Sequence, residues 1–311
     1  MAVRDSQRAP KVSLGLPVYN GERFLRLALD SLIQQDYEDF ELIICDNAST
    51  DDTGSICLDY ARRDTRIRYW RNEKNIGLAG NHNRVFELSR GEYFKWAAHD
   101  DEYPREMLTR FVEVFAHAPP SVSVVYSQCE IIDESGNLEG TRSDHVEKRD
   151  PSPCRRLAHL LRNASIYNFT YGVIRSETLR KTRLHGSYPM TDRVLFAELA
   201  MLGELWEIPE PLLRLRFHAG RTFQANTTMK ALRTLFDPAK GSALSLLGLE
   251  SRVQLELVRS SYRTPPRFRD KLLCVSTALV VPCWVRFKNF GGLQRRRLGR
   301  ALRRSSWADQ R

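Results

Sequence analysis

Val12-Ser13-Leu14-Gly15-Leu16-Pro17-Val18-Tyr19-Asn20, and after it Phe40-Glu41-Leu42-Ile43-Ile44-Cys45-Asp46-Asn47, decide the fold class of this chain. Each is a short, nearly continuous apolar run that ends in polar residues, which is how a strand buried on both faces reads. Pro17 stops the first run and Asp46 the second. Between them, Arg23 to Gln35 sets Phe24, Leu27, Ala28 and Leu32 at helical spacing. After the turn Asn47-Ala48-Ser49-Thr50 a helix is predicted over 52–62. A strand follows over 67–70, a helix over 78–88, and a strand from Tyr93 to Trp96. Strands alternating with helices predict an α/β protein with a mostly parallel central sheet flanked by helices. Such sheets bind ligands beyond the carboxyl ends of their strands. The residues that matter most are therefore Pro17, Tyr19 and Asn20; Asp46 and Asn47; and His99, Asp100 and Asp101.

Farther along, strands are predicted over 122–126 and 130–132, the second running into the turn Glu134-Ser135-Gly136-Asn137. Helical periodicity begins near Asp150. Phe169 to Ile174 reads as a strand, Thr191 to Leu202 as an amphipathic helix, and Leu212 to Phe217 as a strand leading to His218. A looser helical region comes next. Leu272 to Phe287 is apolar, is edged by Lys271, Arg286 and Lys288, and is broken by Pro282. It falls short of the roughly 20 apolar residues that a spanning helix needs, so it reads as an interfacial segment. The expected organisation is a disordered stretch over 1–9, one α/β domain over 10–225, and a helical, basic C-terminal extension over 226–311.

The net charge of +10 in 311 residues suggests nucleic acid until it is located. Ser261 to Arg311 holds thirteen Lys and Arg against two acids, which leaves the preceding residues at a net charge of −1. The near-neutral body argues against a specific nucleic-acid partner. The tail is what would meet an anionic surface, with a helix packed on the body as the plain alternative. Cys45, Cys57, Cys129, Cys154, Cys274 and Cys283 show no metal-finger spacing and read as free thiols. The N-terminal ten residues hold no apolar run, and the expected location is the cytoplasm, at the inner face of the cell membrane.

The polar strand ends carry the chemistry. A nucleoside diphosphate needs partners for its base and a cation for its phosphates. Asp46 can accept from a base N–H. Asp100 and Asp101 offer hard oxygens to Mg²⁺ or Mn²⁺, which bind through a few carboxylates plus substrate phosphates. Capping of the following helix is the plain alternative for each acid. For Asp100-Asp101, adjacent like charges at one strand end favour a cation.

Here the sequence resembles the family-2 glycosyltransferases of the GT-A fold. The resemblance rests on Leu16-Pro17-Val18-Tyr19-Asn20-Gly21-Glu22-Arg23-Phe24-Leu25 with Ser31-Leu32 and Gln35. It continues through Ile44-Cys45-Asp46-Asn47-Ala48-Ser49-Thr50-Asp51 and Asn75-Ile76-Gly77, then Arg90-Gly91-Glu92-Tyr93 leading to His99-Asp100-Asp101. It is strong over 10–135, weaker to 225, and does not reach the tail. It implies that Pro17, Tyr19 and Asn20 line a nucleotide pocket with Asp46 at the base, and that Asn75, Gly77 and Asn81 lie along nucleotide and sugar. The family's Asp-x-Asp element aligns on Ala98 and Asp100. The first Asp is thus absent, Asp100 is the implied metal ligand, and His99 is a polar substitute. Thr191-Asp192 resembles the Glu-Asp pair whose Asp is the general base, with Thr191 in place of the Glu. His218, after Arg214 and Arg216, resembles the His of the region that closes over the diphosphate. Arg216, His218 and Arg221 are also what an anion site uses, with a solvated basic loop as the plain alternative, and His218 and Asp101 are further metal candidates.

The resulting expectation is a metal-dependent, inverting transfer of a sugar from a nucleotide diphosphate to an acceptor hydroxyl. UDP is the first choice of nucleotide and dTDP the second. The acceptor is a glycan or lipid-linked saccharide, in cell-surface glycan or glycolipid synthesis. A sugar-nucleotide nucleotidyltransferase would need a glycine-rich basic loop after the first strand, where this chain has Val18-Tyr19-Asn20-Gly21. A dinucleotide oxidoreductase would need GxGxxG there. Ala98 and Thr191 leave a catalytically degenerate sugar-binding scaffold as the non-enzymatic alternative.

Overall fold

The computed structural model describes residues 8–164, 168–221, 228–236, 238 and 248–282. Residues 1–7 of the stretch over 1–9 expected to be disordered, and the end of the apolar segment, 283–287, lie outside the described residues. Eight strands form one sheet: β1 (Val12–Val18), β2 (Phe40–Asp46), β3 (Ile67–Arg71), β4 (Tyr93–Trp96), β5 (Val122–Ile132), β6 (Leu138–Arg142), β7 (Val173–Arg175) and β8 (Glu204–Arg216). Their order is β3-β2-β1-β4-β7-β5-β6, with β8 pairing β5. Parallel pairing joins β3 to β2, β2 to β1, β1 to β4 and β5 to β8, while β7 and β6 pair antiparallel with their neighbours. The chain winds outward from β1 through β2 to β3, then returns to place β4 on β1's other side. That reversal opens a crevice at the carboxyl ends of β1 and β4.

Helices cover both faces. On one side α1 (Glu22–Ile33), α2 (Thr53–Arg63) and α4 (Met107–His117) bury Leu25, Leu29, Ile56, Leu108 and Phe111 against β1, β2 and β5. On the other, α3 (Gly77–Glu87), α5 (Pro153–Asn163), the short α6 (Ser176–Arg180) and α7 (Thr191–Leu202) close a second core around Ile43, Phe94, Phe169 and Phe196. Beyond 225 lie α8 (Met229–Phe236), α9 (Leu249–Arg263) and a helix over 268–282, α10.

Several expectations are corrected. The two strands foreseen over 122–132 are one, because β8 runs beside the whole length of β5. β8 itself starts at Glu204, not Leu212. Pro209 and Pro211 masked its first half, and an edge strand with register shifts tolerates both. Residues 168–171 form a 3₁₀ turn, so that the strand foreseen from Phe169 is only Val173–Arg175. The hairpin strand β6 and helices α4 and α6 were not foreseen.

The extension is not a free appendage. Val253 and Leu257 of α9, and Cys274 and Ala278 of α10, belong to the second core. Arg183 donates to Glu198 of α7 (2.9 Å) and to Glu256 of α9 (2.8 Å), and Ser260 Oγ donates to Glu198 at 2.6 Å. Both carboxylates are buried, so these charges are satisfied only while α7 and α9 stay together.

Candidate active site

A cavity of about 560 Å³ opens at the carboxyl ends of β1 and β4. Pro17 and Tyr19 enter it from the end of β1, and Trp96, Ala98, His99 and Asp100 from the end of β4. Asn81 and His82 of α3, His185, Asp192 at the start of α7, Arg221 and Phe236 complete much of the wall. Of the residues read from the sequence, Pro17, Tyr19, Asn81, His99, Asp100, Asp192 and Arg221 are brought together here. Asn20, Asp46, Asn75, Gly77, Asp101, Arg216 and His218 do not line it.

Asp100 is the one foreseen metal ligand that reaches the cavity. His218 Nε2 lies 3.0 Å from its Oδ2, and Phe24 of α1 packs on the His218 ring at 4.7 Å, fixing that imidazole from the far side. Burial acts to raise the Asp100 carboxyl, but His99, the hydrogen bond with His218 and Arg221 outweigh it and hold it below the usual carboxylate range. A charged carboxylate beside an imidazole suits a hard divalent cation. His218, hydrogen-bonded to that carboxylate, would orient it as a ligand. Among the described residues no group of three or more His, Cys, Asp and Glu could hold an ion alone. Substrate phosphates and water would complete such a sphere, as is usual for Mg²⁺.

Asp101, a further metal candidate, and Arg216, expected at the diphosphate, do not line the cavity and are engaged with one another and with neighbouring loops. Asp101 is 1% exposed; its Oδ1 accepts from the Arg216 backbone N–H at 3.0 Å, and its Oδ2 is buried without a hydrogen-bond partner. Burial, then the neighbouring Asp100 charge, push its carboxyl well up. Arg216 is equally buried. Its guanidinium donates to the Asp100, Asp133 and Glu134 carbonyls at 3.1, 3.2 and 3.0 Å and pairs with Glu102. Four of its five N–H groups are thus engaged, and it does not line the cavity. Arg221 stands in the cavity wall, stacked on Phe217 at 4.4 Å.

Asp46 also departs from the direct base contact expected of it. It is fully buried, its Oδ1 accepts from Ser49 N–H at 2.8 Å, and its Oδ2 accepts from Tyr69 at 3.1 Å and from Arg71. The strand-end acid is thus the anchor of the loop after β2. Asparagines do similar work. Asn47 accepts from Ile76 N–H (2.9 Å) and Asn72 (3.0 Å) and donates to Asn75 (2.9 Å). Asn81 donates to the Cys45 carbonyl at 2.8 Å. Asn20 ties the first loop to the second by accepting from Thr50 N–H at 2.8 Å. Two glycines allow close approaches: a Cβ on Gly21 would sit 2.5 Å from the His99 ring, and Gly77, at φ +81°, would place one 2.5 Å from the Phe236 carbonyl.

Asp192 lies in the first turn of α7, yet it does not cap the helix. Met190 is the N-cap residue, held at φ +63°, and no side chain caps. Thr191 Oγ1 instead accepts from Gly186 N–H at 2.5 Å, stiffening the preceding loop. Burial raises the Asp192 carboxyl, which makes its anion a stronger base. A non-glycine residue in the left-handed region is uncommon and tends to mark functional segments.

Sequence reading missed His82, Trp96 and His185, all in the cavity wall. Their only signal was position: Trp96 ends β4, and His82 lies one residue from Asn81. Nothing local pointed to His185. The cavity also takes Leu235 and Phe236 from α8, beyond the expected domain boundary.

The chain resembles known proteins in sequence and in fold. It matches Glycosyl transferase family 2 over residues 13–182. An uncharacterized glycosyltransferase of Rickettsia felis is 34% identical over 130 residues, 41% of this chain and 21% of that protein. A second, of Rickettsia prowazekii, is 29% identical over 235 residues, 74% of this chain and 70% of that protein. A GalNAc(5)-diNAcBac-PP-undecaprenol beta-1,3-glucosyltransferase of Campylobacter jejuni is 32% identical over 130 residues, 42% of this chain and 41% of it. Several of these matches span only about a fifth to two fifths of the relative's length. In fold, S. aureus TarS 1–349 in complex with UDP-GlcNAc superposes with a TM-score of 0.55 at 15% identity, over 89% of this chain and 92% of that one. The mannosyltransferase PcManGT of Pyrobaculum calidifontis, in complex with GDP-Man and Mn²⁺, gives 0.50 at 17% identity, over 89% and 88%. With the family matched across more than half its length, and with the strand order and crevice of a GT-A glycosyltransferase, this chain belongs to glycosyl transferase family 2.

Proposed function

We propose that the chain transfers a sugar from a nucleotide diphosphate to an acceptor hydroxyl with inversion, using Asp192 as general base. The observation that carries this reading is that Asp100 and Asp192, from the end of β4 and the start of α7, line one cavity at the carboxyl ends of the parallel strands. Tyr19 and Pro17 would flank the nucleotide, behind which Asp46 and the asparagines fix the loops. Arg221 would meet the diphosphate. A divalent cation, Mg²⁺ or Mn²⁺, held by Asp100 with His218 beside it would neutralise the diphosphate as it leaves. Asp192 takes the acceptor proton while the hydroxyl oxygen attacks the anomeric carbon from the face opposite the leaving group.

UDP is the first choice of nucleotide and dTDP the second. The UDP-GlcNAc complex of a protein of like fold supports the former, and the GDP-Man and Mn²⁺ complex of another supports a metal-assisted nucleotide sugar. A relative named for an undecaprenol-linked substrate supports a lipid-linked saccharide acceptor and a role in cell-surface glycan synthesis. The chain would then work at the inner face of the cell membrane. No helix among the described residues is long and apolar enough to cross a bilayer, but Phe268, Leu272, Leu273, Leu279 and Val280 of α10 are all exposed. That face, among Arg263, Arg267, Arg269 and Lys271, suits an anionic interface.

Thermal unfolding with UDP, dTDP and GDP, each with and without Mn²⁺, tests the donor reading. A nucleotide at 100 times its Kd should stabilise the chain by about 2.7 kcal/mol, and more tightly with Mn²⁺. No stabilisation by any of the three would overturn it.

A further inference from the structure

His82 and His185 meet in the cavity wall, one from α3 and one from the loop before α7, with ring centroids 5.3 Å apart and nearly perpendicular. Trp96 stands against His185 at 5.0 Å, and its indole N–H donates to the His82 carbonyl at 3.0 Å. Each element of this cluster is held from outside. His82 Nδ1 is 2.9 Å from the Leu78 carbonyl, so it carries the proton and leaves Nε2 as a bare acceptor. That Nε2 has no partner among the described residues. The His185 backbone is clamped at both ends by one side chain: its N–H donates to Asn83 Oδ1 and its carbonyl accepts from Asn83 Nδ2, each at 2.9 Å.

The His185 ring itself is different. Its Nδ1 is buried without a hydrogen-bond partner, and its Nε2 also lacks one among the described residues. A buried unpartnered nitrogen costs stability, so a histidine is a poor choice here on packing grounds alone. A phenylalanine would fill the same space among Trp96 and His82 without that cost. Nδ1 itself is beyond a ligand's reach, and the nitrogens that can serve something entering the cavity are the Nε2 atoms of the two rings. Burial lowers both imidazoles, His82 to about 4, and His82 further opposes a charge on His185, so the pair is neutral at working pH. Two neutral imidazoles and an indole offer hydrogen bonds to hydroxyls and apolar ring surface to C–H groups, but no charge to a carboxylate.

We propose that His82, His185 and Trp96 form a subsite for an uncharged, hydroxyl-bearing pyranose ring, beside the base Asp192, and that the two imidazoles set which sugar is accepted. The inference rests on the donor reading above and deepens it. The same chemistry would be met by the transferred sugar of the donor or by the terminal sugar of the acceptor, and the test separates the two.

Two substitutions remove the nitrogens while keeping the fold. His82→Asn retains a donor for the Leu78 carbonyl but loses Nε2. His185→Phe keeps a ring in place and removes the orphaned Nδ1. Calorimetry on the full chain with Mn²⁺ would compare UDP, dTDP and GDP with their glucose, GlcNAc, mannose and glucuronic acid conjugates. For a donor subsite, a neutral conjugate binds the unaltered chain more tightly than its parent nucleotide and the glucuronic acid conjugate gains nothing. Each substitution then reduces that gain by about 3- to 10-fold, the usual worth of one hydrogen bond, and leaves the parent nucleotide's affinity unchanged. For an acceptor subsite, conjugate affinity stays intact, while saturation-transfer NMR with methyl β-glycosides of glucose, GlcNAc and GalNAc, in UDP and Mn²⁺, loses its signal in both variants. His185→Phe should in either case unfold at the same or a higher temperature. Unchanged conjugate affinity together with unchanged glycoside signals would overturn the subsite, as would a marked loss of stability in His185→Phe, which would make that ring structural. Failure of the unaltered chain to bind any nucleotide would instead remove the donor reading on which the subsite stands.

Discussion

His218 Nε2 lies 3.0 Å from Asp100 Oδ2, joining the end of β4 to the segment after β8 across 118 residues of sequence. Asp100 lines the cavity, and His218, outside that lining, holds its carboxylate in place. The Asp100 side chain keeps 15% exposure and the His218 side chain 8%.

Asp100→Ala should therefore abolish Mn²⁺-dependent nucleotide binding and sugar transfer while leaving the melting temperature within a few degrees, because the side chain reaches the cavity and supports no core. His218→Ala should weaken Mn²⁺ affinity by about 10- to 100-fold, the range seen when a group orienting a metal ligand is removed. Calorimetric titration of UDP at fixed Mn²⁺ measures both. Undiminished metal dependence in Asp100→Ala would place the cation elsewhere.

Arg216 should behave in the opposite way. Its buried guanidinium satisfies three carbonyls and pairs with Glu102, so Arg216→Ala strands those groups without a partner. Removing one member of a buried ion pair costs about 3–5 kcal/mol. Urea unfolding should show that loss in the midpoint. A variant of normal stability that binds UDP less tightly would restore Arg216 to the diphosphate.

The contrast shows how much of the site was legible. The buried runs at 12–16, 40–45 and 93–96 are apolar without alternation, and that pattern alone gave β1, β2 and β4 and so located the crevice. What sequence could not show is which strand-end polar groups already have partners. Asp46 looks free beside Asn47, but Tyr69 and Arg71, brought alongside by the β2–β3 pairing, occupy it. Asp100 and Asp101 are neighbours in the chain, yet one lines the cavity while the other is fixed to β8. His185 carries no motif and is placed by a clamp from Asn83, 102 residues earlier.

The exposed apolar face of α10 should bring the chain to anionic bilayers. Each basic side chain near such a surface contributes about 1 kcal/mol, so the cluster from Arg263 to Lys271 suffices for salt-sensitive binding. Flotation with vesicles containing phosphatidylglycerol should recover the chain at low salt and lose it at high salt. Leu272→Glu with Leu279→Glu should reduce recovery at both. No flotation at low salt would leave α10 as a packing helix only.

Asp192 decides mechanism rather than binding. An acceptor hydroxyl is a weak nucleophile near neutral pH and needs a base to take its proton during attack. Asp192 is placed for this at the first turn of α7, and burial lifts its carboxyl above the ordinary value of 3.8. Only the anion can accept a proton, so activity should fall as pH drops through that raised value, and the acid limb should lie above 3.8. Asp192→Asn preserves size and cannot accept the proton. Nucleotide and Mn²⁺ affinity should stay near normal, transfer should fall by about 10²-fold or more, and the acid limb should vanish from the residual rate. Because a single displacement inverts, NMR of the product should show the anomeric configuration opposite to the donor's. Retention would reject the displacement, and full activity in Asp192→Asn would move the base to another group of the cavity wall.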